Sequence, residues 1–195
     1  MSEQFAITEH HHSSELLTCY SREFLITIFS FEIDGFASLR GSTQAIRNEL
    51  NDAIASTTNN KDIDRLTDVI RKLDDASNPD VWLPDGNHLS CTQGDAIFNR
   101  YKDATQKLME MIRDISTPSI PDATIQNWID VLVAIDRDLA QTAITEANAS
   151  GVAQSKIDKA LAGLAQGDAD VARGSFDNAI EDYRKAWNGV AVCNK

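Results

Sequence analysis

Asp80, Trp82, Asp85, Asn87 and His88 fall within one short loop, Pro79-Asp-Val-Trp-Leu-Pro-Asp-Gly-Asn-His-Leu89, and form the most chemically loaded segment of the chain. Oxygen ligands from Asp80, Asp85 and the Asn87 side chain would suit a hard divalent cation such as Ca²⁺. An EF-hand would need further oxygen ligands two and four residues before Asp85, where Leu83 and Val81 stand, so that motif fails. The same residues also fit a purely structural loop. In that reading Trp82 enters the core, Pro84-Asp85-Gly86 makes the turn, and Asn87 or Asp85 caps the next helix. His88 lies close to Cys91 in sequence, but a Cys/His nucleophilic pair needs a third group to orient the imidazole, and nothing in the sequence marks one.

Other chemistries are missing at the level of motif. Three consecutive histidines, His10 to His12, sit in a polar head that would bind metal only loosely. His88 is the one remaining histidine, so the paired Glu-x-x-His motifs of a di-iron bundle do not occur. There is no Cys-x-x-Cys-His, no Gly-x-Gly-x-x-Gly and no phosphate loop. Cys19, Cys91 and Cys193 are too widely spaced for a zinc ribbon or a disulfide-dense scaffold. They leave open one long-range disulfide with a free thiol, or three thiols. These patterns lead us to expect a non-enzyme with no required cofactor.

The net charge of −12 over 195 residues disfavours phosphate backbones and anionic membranes, so nucleic acid is not the expected partner. No stretch has the roughly 20 apolar residues needed to span a bilayer. The longest apolar run, from Phe24 to Phe31, is about as long as a signal-peptide core. It comes after a long polar, acidic head in which Arg22 supplies the local positive charge, which argues against a secretory signal. Residues 24–33 are rich in β-branched and aromatic types and end at Asp34-Gly35, so they read as a short strand or short helix within a poorly ordered segment, 1–35.

The remainder, 36–195, reads as an all-α, antiparallel bundle of five to six helices. Gly and Pro number 9 and 4, so breakers are few and the seams run long. Ser42-Thr43 can cap a first helix with Ile46, Leu50, Ala53 and Ile54 on one face. Thr57-Thr58-Asn59-Asn60 breaks it. Ile63, Leu66, Ile70 and Leu73 form the next seam, which Ser77-Asn78-Pro79 ends. Ile97, Tyr101, Ala104, Leu108, Met111 or Ile112, and Ile115 share a stripe on a third helix. Asp122 is placed to cap a fourth, whose Ile125, Trp128, Leu132, Ile135 and Leu139 make a heptad-like seam. That phase puts Asp136, Arg137 and Asp138 toward the flank, with Arg137 reaching a carboxylate on a neighbouring helix. Ser150-Gly151 ends the fourth helix. A closing hairpin spans 152–192, with Ile157, Ala160, Leu161 and Leu164 inward on its first helix.

Gly167, Gly174, Phe176, Ala179, Tyr183, Ala186 and Trp187 stand in the register of a tetratricopeptide helix pair, which the hairpin resembles. Its first helix departs from the repeat at Gly163 and Gln166, and there is no second copy, so a packing element is expected rather than a peptide-binding groove. A wider resemblance covers residues about 40–192. Lys72-Leu73-Asp74-Asp75, Asp80-Val-Trp82, Asn87-His88-Leu89, Gly94, Phe98, Ile135-Asp136-Arg137-Asp138-Leu139-Ala140, Ala143-Ile144 and the Ala-Trp ending carry it. The region resembles a helical segment that recurs near the C-termini of secreted or surface proteins of bacteria and archaea. The resemblance implies an accessory, non-catalytic, extracellular module with no assigned activity. Together with a complete set of helical seams and no catalytic constellation, it leads us to expect a structural module that acts through a protein partner or self-association.

Overall fold

The computed structural model describes residues 38–114 and 119–191. The chain divides into two units, 1–35 and 36–195. The expected strand or short helix at 24–33, the histidine run, Cys19 and Cys193 lie outside the described residues. The described part is an all-α helical bundle. Six α-helices succeed one another: α1 (Leu39–Ser56), α2 (Asn60–Ala76), α3 (Asp95–Arg113), α4 (Asp122–Ala149), α5 (Gln154–Ala172) and α6 (Phe176–Val190). A 3-10 turn at Pro79–Val81 opens the loop between α2 and α3. No described helix is long and apolar enough to cross a membrane.

Successive helices pack against each other, α1 on α2, α2 on α3, α3 on α4 and α5 on α6, as short connections require. The hairpin of α5 and α6 is the most extensive pairing, and α6 also lies on both α3 and α4. α4 touches α1, α3, α5 and α6 and so runs through the middle of the bundle. Its seam of Ile125, Trp128, Leu132, Ile135 and Leu139 is buried, and so are Ile129, Val133, Ala140 and Ile144 on its other sides. The Trp128 indole N–H donates to Glu49 of α1 at 2.8 Å, which satisfies the one polar group of a buried ring.

The helices differ from the sequence expectation at three points, two at their ends and one in which face is covered. α1 begins at Leu39, capped by Ser38, whose hydroxyl oxygen accepts from the Gly41 amide at 3.1 Å. Ser42 and Thr43 are instead buried one turn inside, and the Thr43 hydroxyl pairs with the Tyr101 hydroxyl at 2.5 Å. A serine one turn upstream has the same capping chemistry, so composition alone did not choose between them. Asp122 is the first residue of α4 rather than its cap; Pro121 occupies the cap position and no side chain bonds there. Asp122 still sits where a carboxylate favours the positive end of the helix dipole. Leu161 is 42% exposed and faces solvent, since α5 is covered mainly on the face it turns to α6.

Candidate functional site

The loop between α2 and α3 is a small hairpin of its own. Trp82 and Leu89 form an antiparallel bridge, with the Leu83 amide donating to the His88 carbonyl at 2.8 Å and the Ser90 amide to the Val81 carbonyl at 2.9 Å. Trp82 is buried, and its indole N–H donates to the Ala76 carbonyl at the end of α2 at 2.6 Å. Gly86 turns the chain at φ +70°. A Cβ there would lie 2.8 Å from the Ser38 hydroxyl oxygen, so glycine is needed for conformation and for close approach.

Each candidate ligand oxygen of the turn has a definite partner. One Asp85 oxygen accepts from the Asn87 and His88 amides at 2.9 and 3.2 Å, which is the self-bonding of an Asx turn. The Asn87 side-chain oxygen accepts from the Leu39 amide at 2.9 Å, and the Gly86 carbonyl accepts from the Arg40 amide at 3.0 Å. Asn87 therefore caps a helix, as the sequence allowed, but the helix is α1 rather than the next one along the chain. Asp80 is exposed on the 3-10 turn, at the opposite end of the small hairpin from Asp85 and Asn87. Among the described residues no three His, Cys, Asp or Glu side chains group as metal ligands.

His88 is held from both sides. Its Nδ1 lies 2.5 Å from Asp85 and its Nε2 lies 2.8 Å from Glu146 of α4. Slight burial raises the Asp85 carboxyl, but the bonds from Asn87 and His88 outweigh it and hold the group below the usual carboxylate range. Asp85 is thus an orienting group for the imidazole, three residues away, that the sequence pattern did not mark. Cys91 is nevertheless not a nucleophile, because it is disulfide-bonded. The imidazole opens onto a cleft of about 530 Å³, bounded by Leu83 and Cys91 of the loop, Leu139 and Thr142 of α4, and Trp187 of α6.

The hairpin residues singled out in the sequence serve two contacts: Gly167 meets Tyr183 between α5 and α6, and Trp187 turns to α3. Gly174 turns at φ +71°, while Ala179, Tyr183, Ala186 and Trp187 are buried and Phe176 is half-buried. The Tyr183 ring packs on Gly167, where an added Cβ would come 2.4 Å from it, and its hydroxyl donates to Asp168 at 2.8 Å. Arg137 of α4 makes a two-pronged pair with the same carboxylate at 2.8 and 3.0 Å. Trp187 packs on Phe98 of α3 with ring centroids 5.8 Å apart, and Arg184 reaches Asp95 at the start of α3 at 2.9 Å. The hairpin is thereby tied to α3 and α4.

The main departure from expectation is Asp136. It is fully buried, and neither carboxylate oxygen has a hydrogen-bond partner. Burial pushes its carboxyl well above the usual range. The chain matches no family model, no curated protein and no solved structure.

Proposed function

We propose that the chain is a non-catalytic structural or protein-interaction module. The observation that carries this reading is the state of the 80–91 loop, the segment best equipped for chemistry. Trp82 is committed to Ala76, Asp85 to its own turn and His88, Asn87 to the cap of α1, and Cys91 to a disulfide. Side chains spent in this way fix the loop to α1, α2 and α4. The resemblance of residues about 40–192 to accessory regions of secreted or surface proteins supports the same reading. A disulfide at Cys91 suits an oxidising compartment outside the cytosol. Partner protein or self-association is the expected mode of action, and the acidic surface disfavours nucleic acid.

Light scattering after size exclusion, together with affinity capture by the full chain, tests this reading. A defined oligomer or a stoichiometric protein partner is expected. A monomer that captures nothing would overturn it. Calorimetric titration with Ca²⁺ addresses the cation-binding alternative at Asp80, Asp85 and Asn87. No heat and no shift in melting temperature are expected, because the inner oxygens of Asp85 and Asn87 already accept backbone N–H groups.

A further inference from the structure

Asp136 lies at the centre of α4, the one helix that touches α1, α3, α5 and α6. Ile135, Leu139 and Ala140 are buried around it on the same helix. Among the described residues no positive charge acts on it. From α3 comes the Tyr101 phenol and from α6 the Tyr183 phenol, each pushed upward mainly by its own burial, Tyr183 also by the Asp168 carboxylate; a charge on Asp136, were it present, would push both further up. The Tyr101 hydroxyl is engaged by Thr43 of α1, and the Tyr183 hydroxyl by Asp168 of α5. Arg137, the adjacent residue, commits its guanidinium to that same Asp168.

A carboxylate in this setting would be a buried charge with neither a counter-ion nor a hydrogen bond, and such a group gives up its charge rather than remain. We propose that Asp136 is a proton-held latch at the middle of the bundle: packed as the neutral acid, it loosens the contact of α4 with α3 and α6 when the proton leaves. The neutral acid still leaves a buried polar group unmatched, which is a cost to folding. An apolar residue at this position would avoid that cost.

The sign comes from linkage. In the unfolded chain Asp136 loses its proton at the ordinary aspartate value, near about 4. In the folded chain burial keeps it protonated to higher pH. Its contribution is therefore full below the unfolded value and is lost as pH rises toward the folded one. Within that window each pH unit changes the folding constant roughly tenfold, a fall in melting temperature of about 4 °C per unit for a chain of this size. Asp130 and Asp138, raised by partial burial, act in the same direction, so the readout is a difference between variants.

The test compares the full-length chain with Asp136→Asn and Asp136→Leu, melted from about pH 5 to about pH 8. Both variants are expected to show a flatter profile than the parent, with the gap widening as pH rises. Carbon-13 spectra of the aspartate carboxyls in the unsubstituted protein give a second, independent reading. One carboxyl absent from the spectra of both variants should keep the chemical shift of a neutral acid at neutral pH. Parallel melting profiles, or an Asp136 carboxyl that titrates in the ordinary range, would overturn the proposal. Sequential assignment of the Asp136 carboxyl in the unsubstituted protein lets the spectra decide the matter even if neither variant folds.

Discussion

Gly163 and Gly167 stand one turn apart on α5, and both face α6 with opposite tolerances. A Cβ on Gly163 would meet Ala186 at 3.5 Å, an ordinary contact, whereas one on Gly167 would enter the Tyr183 ring. Gly163→Ala should therefore stabilise the chain by up to about 1 kcal/mol, because glycine costs that much in a helix interior. Gly167→Ala should destabilise it by about 1–3 kcal/mol through overpacking, despite the same gain in propensity. Denaturant melts of the two variants check the pair. Two losses of equal size would show that the helix contact is uniform rather than centred on Tyr183. Gly167 was legible as part of the repeat register, but its partner ring became visible only with the helices docked. Asn87 shows the same limit at longer range. Its capping chemistry was readable, yet the amide it caps, Leu39, lies 48 residues earlier. Asn87→Ala should cost about 1 kcal/mol, the worth of a helix cap, and Asn87→Asp should recover most of it. A melting temperature unchanged in Asn87→Ala would remove the loop's role as the clasp of α1.

The helical elements were legible because each carries an apolar stripe at a spacing of three and four residues, and Pro79, Gly151 and Gly174 punctuate them. α4 was legible as a helix but not as the central one. Its heptad-like seam suggested one covered face, which placed Asp136 toward the flank. Ile129, Val133, Ala140 and Ile144 lie off that seam and are buried as well, and a helix with more than one apolar stripe packs against more than one neighbour. Weighing those four residues against the seam would have put Asp136 inside. Arg137 was read to bridge a neighbouring helix, and it does so at Asp168, with both side chains about one third or more exposed. Solvent screens a pair of that exposure, so a double-mutant cycle of Arg137→Ala and Asp168→Ala should return a coupling of at most about 1 kcal/mol. Asp168→Ala alone should cost more than Arg137→Ala alone, because it also strands the Tyr183 hydroxyl. Equal single costs would mean that Tyr183 gains nothing from the carboxylate.

Across the described bundle, two sets of carboxyls pull the pH dependence of stability in opposite directions. The Arg184 guanidinium holds Glu181 below the usual carboxylate range, and Asp85 is held low by its turn amides and His88. Both keep their charge in the folded chain at a pH where the unfolded chain has begun to bind protons. Their contribution is therefore present above the ordinary carboxylate values, about 4, and is lost as pH falls below them. Asp136 acts the other way, losing its contribution as pH rises. Stability should then pass through a maximum, with an acid limb set by surface pairs and an alkaline limb set mainly by Asp136, with smaller parts from Asp130 and Asp138. Glu181→Gln should flatten the acid limb and leave the alkaline limb in place, and Asp136→Asn should do the reverse. Salt sharpens the distinction. Glu181 and Arg184 are each about one quarter exposed, so added salt should weaken the acid limb. It should leave the alkaline limb nearly unchanged, because a desolvation cost in the core is not screened by ions outside it. Melting curves across pH at low and high salt would show both limbs. If salt erased the alkaline limb, its source would lie on the surface and Asp136 would lose its part in it.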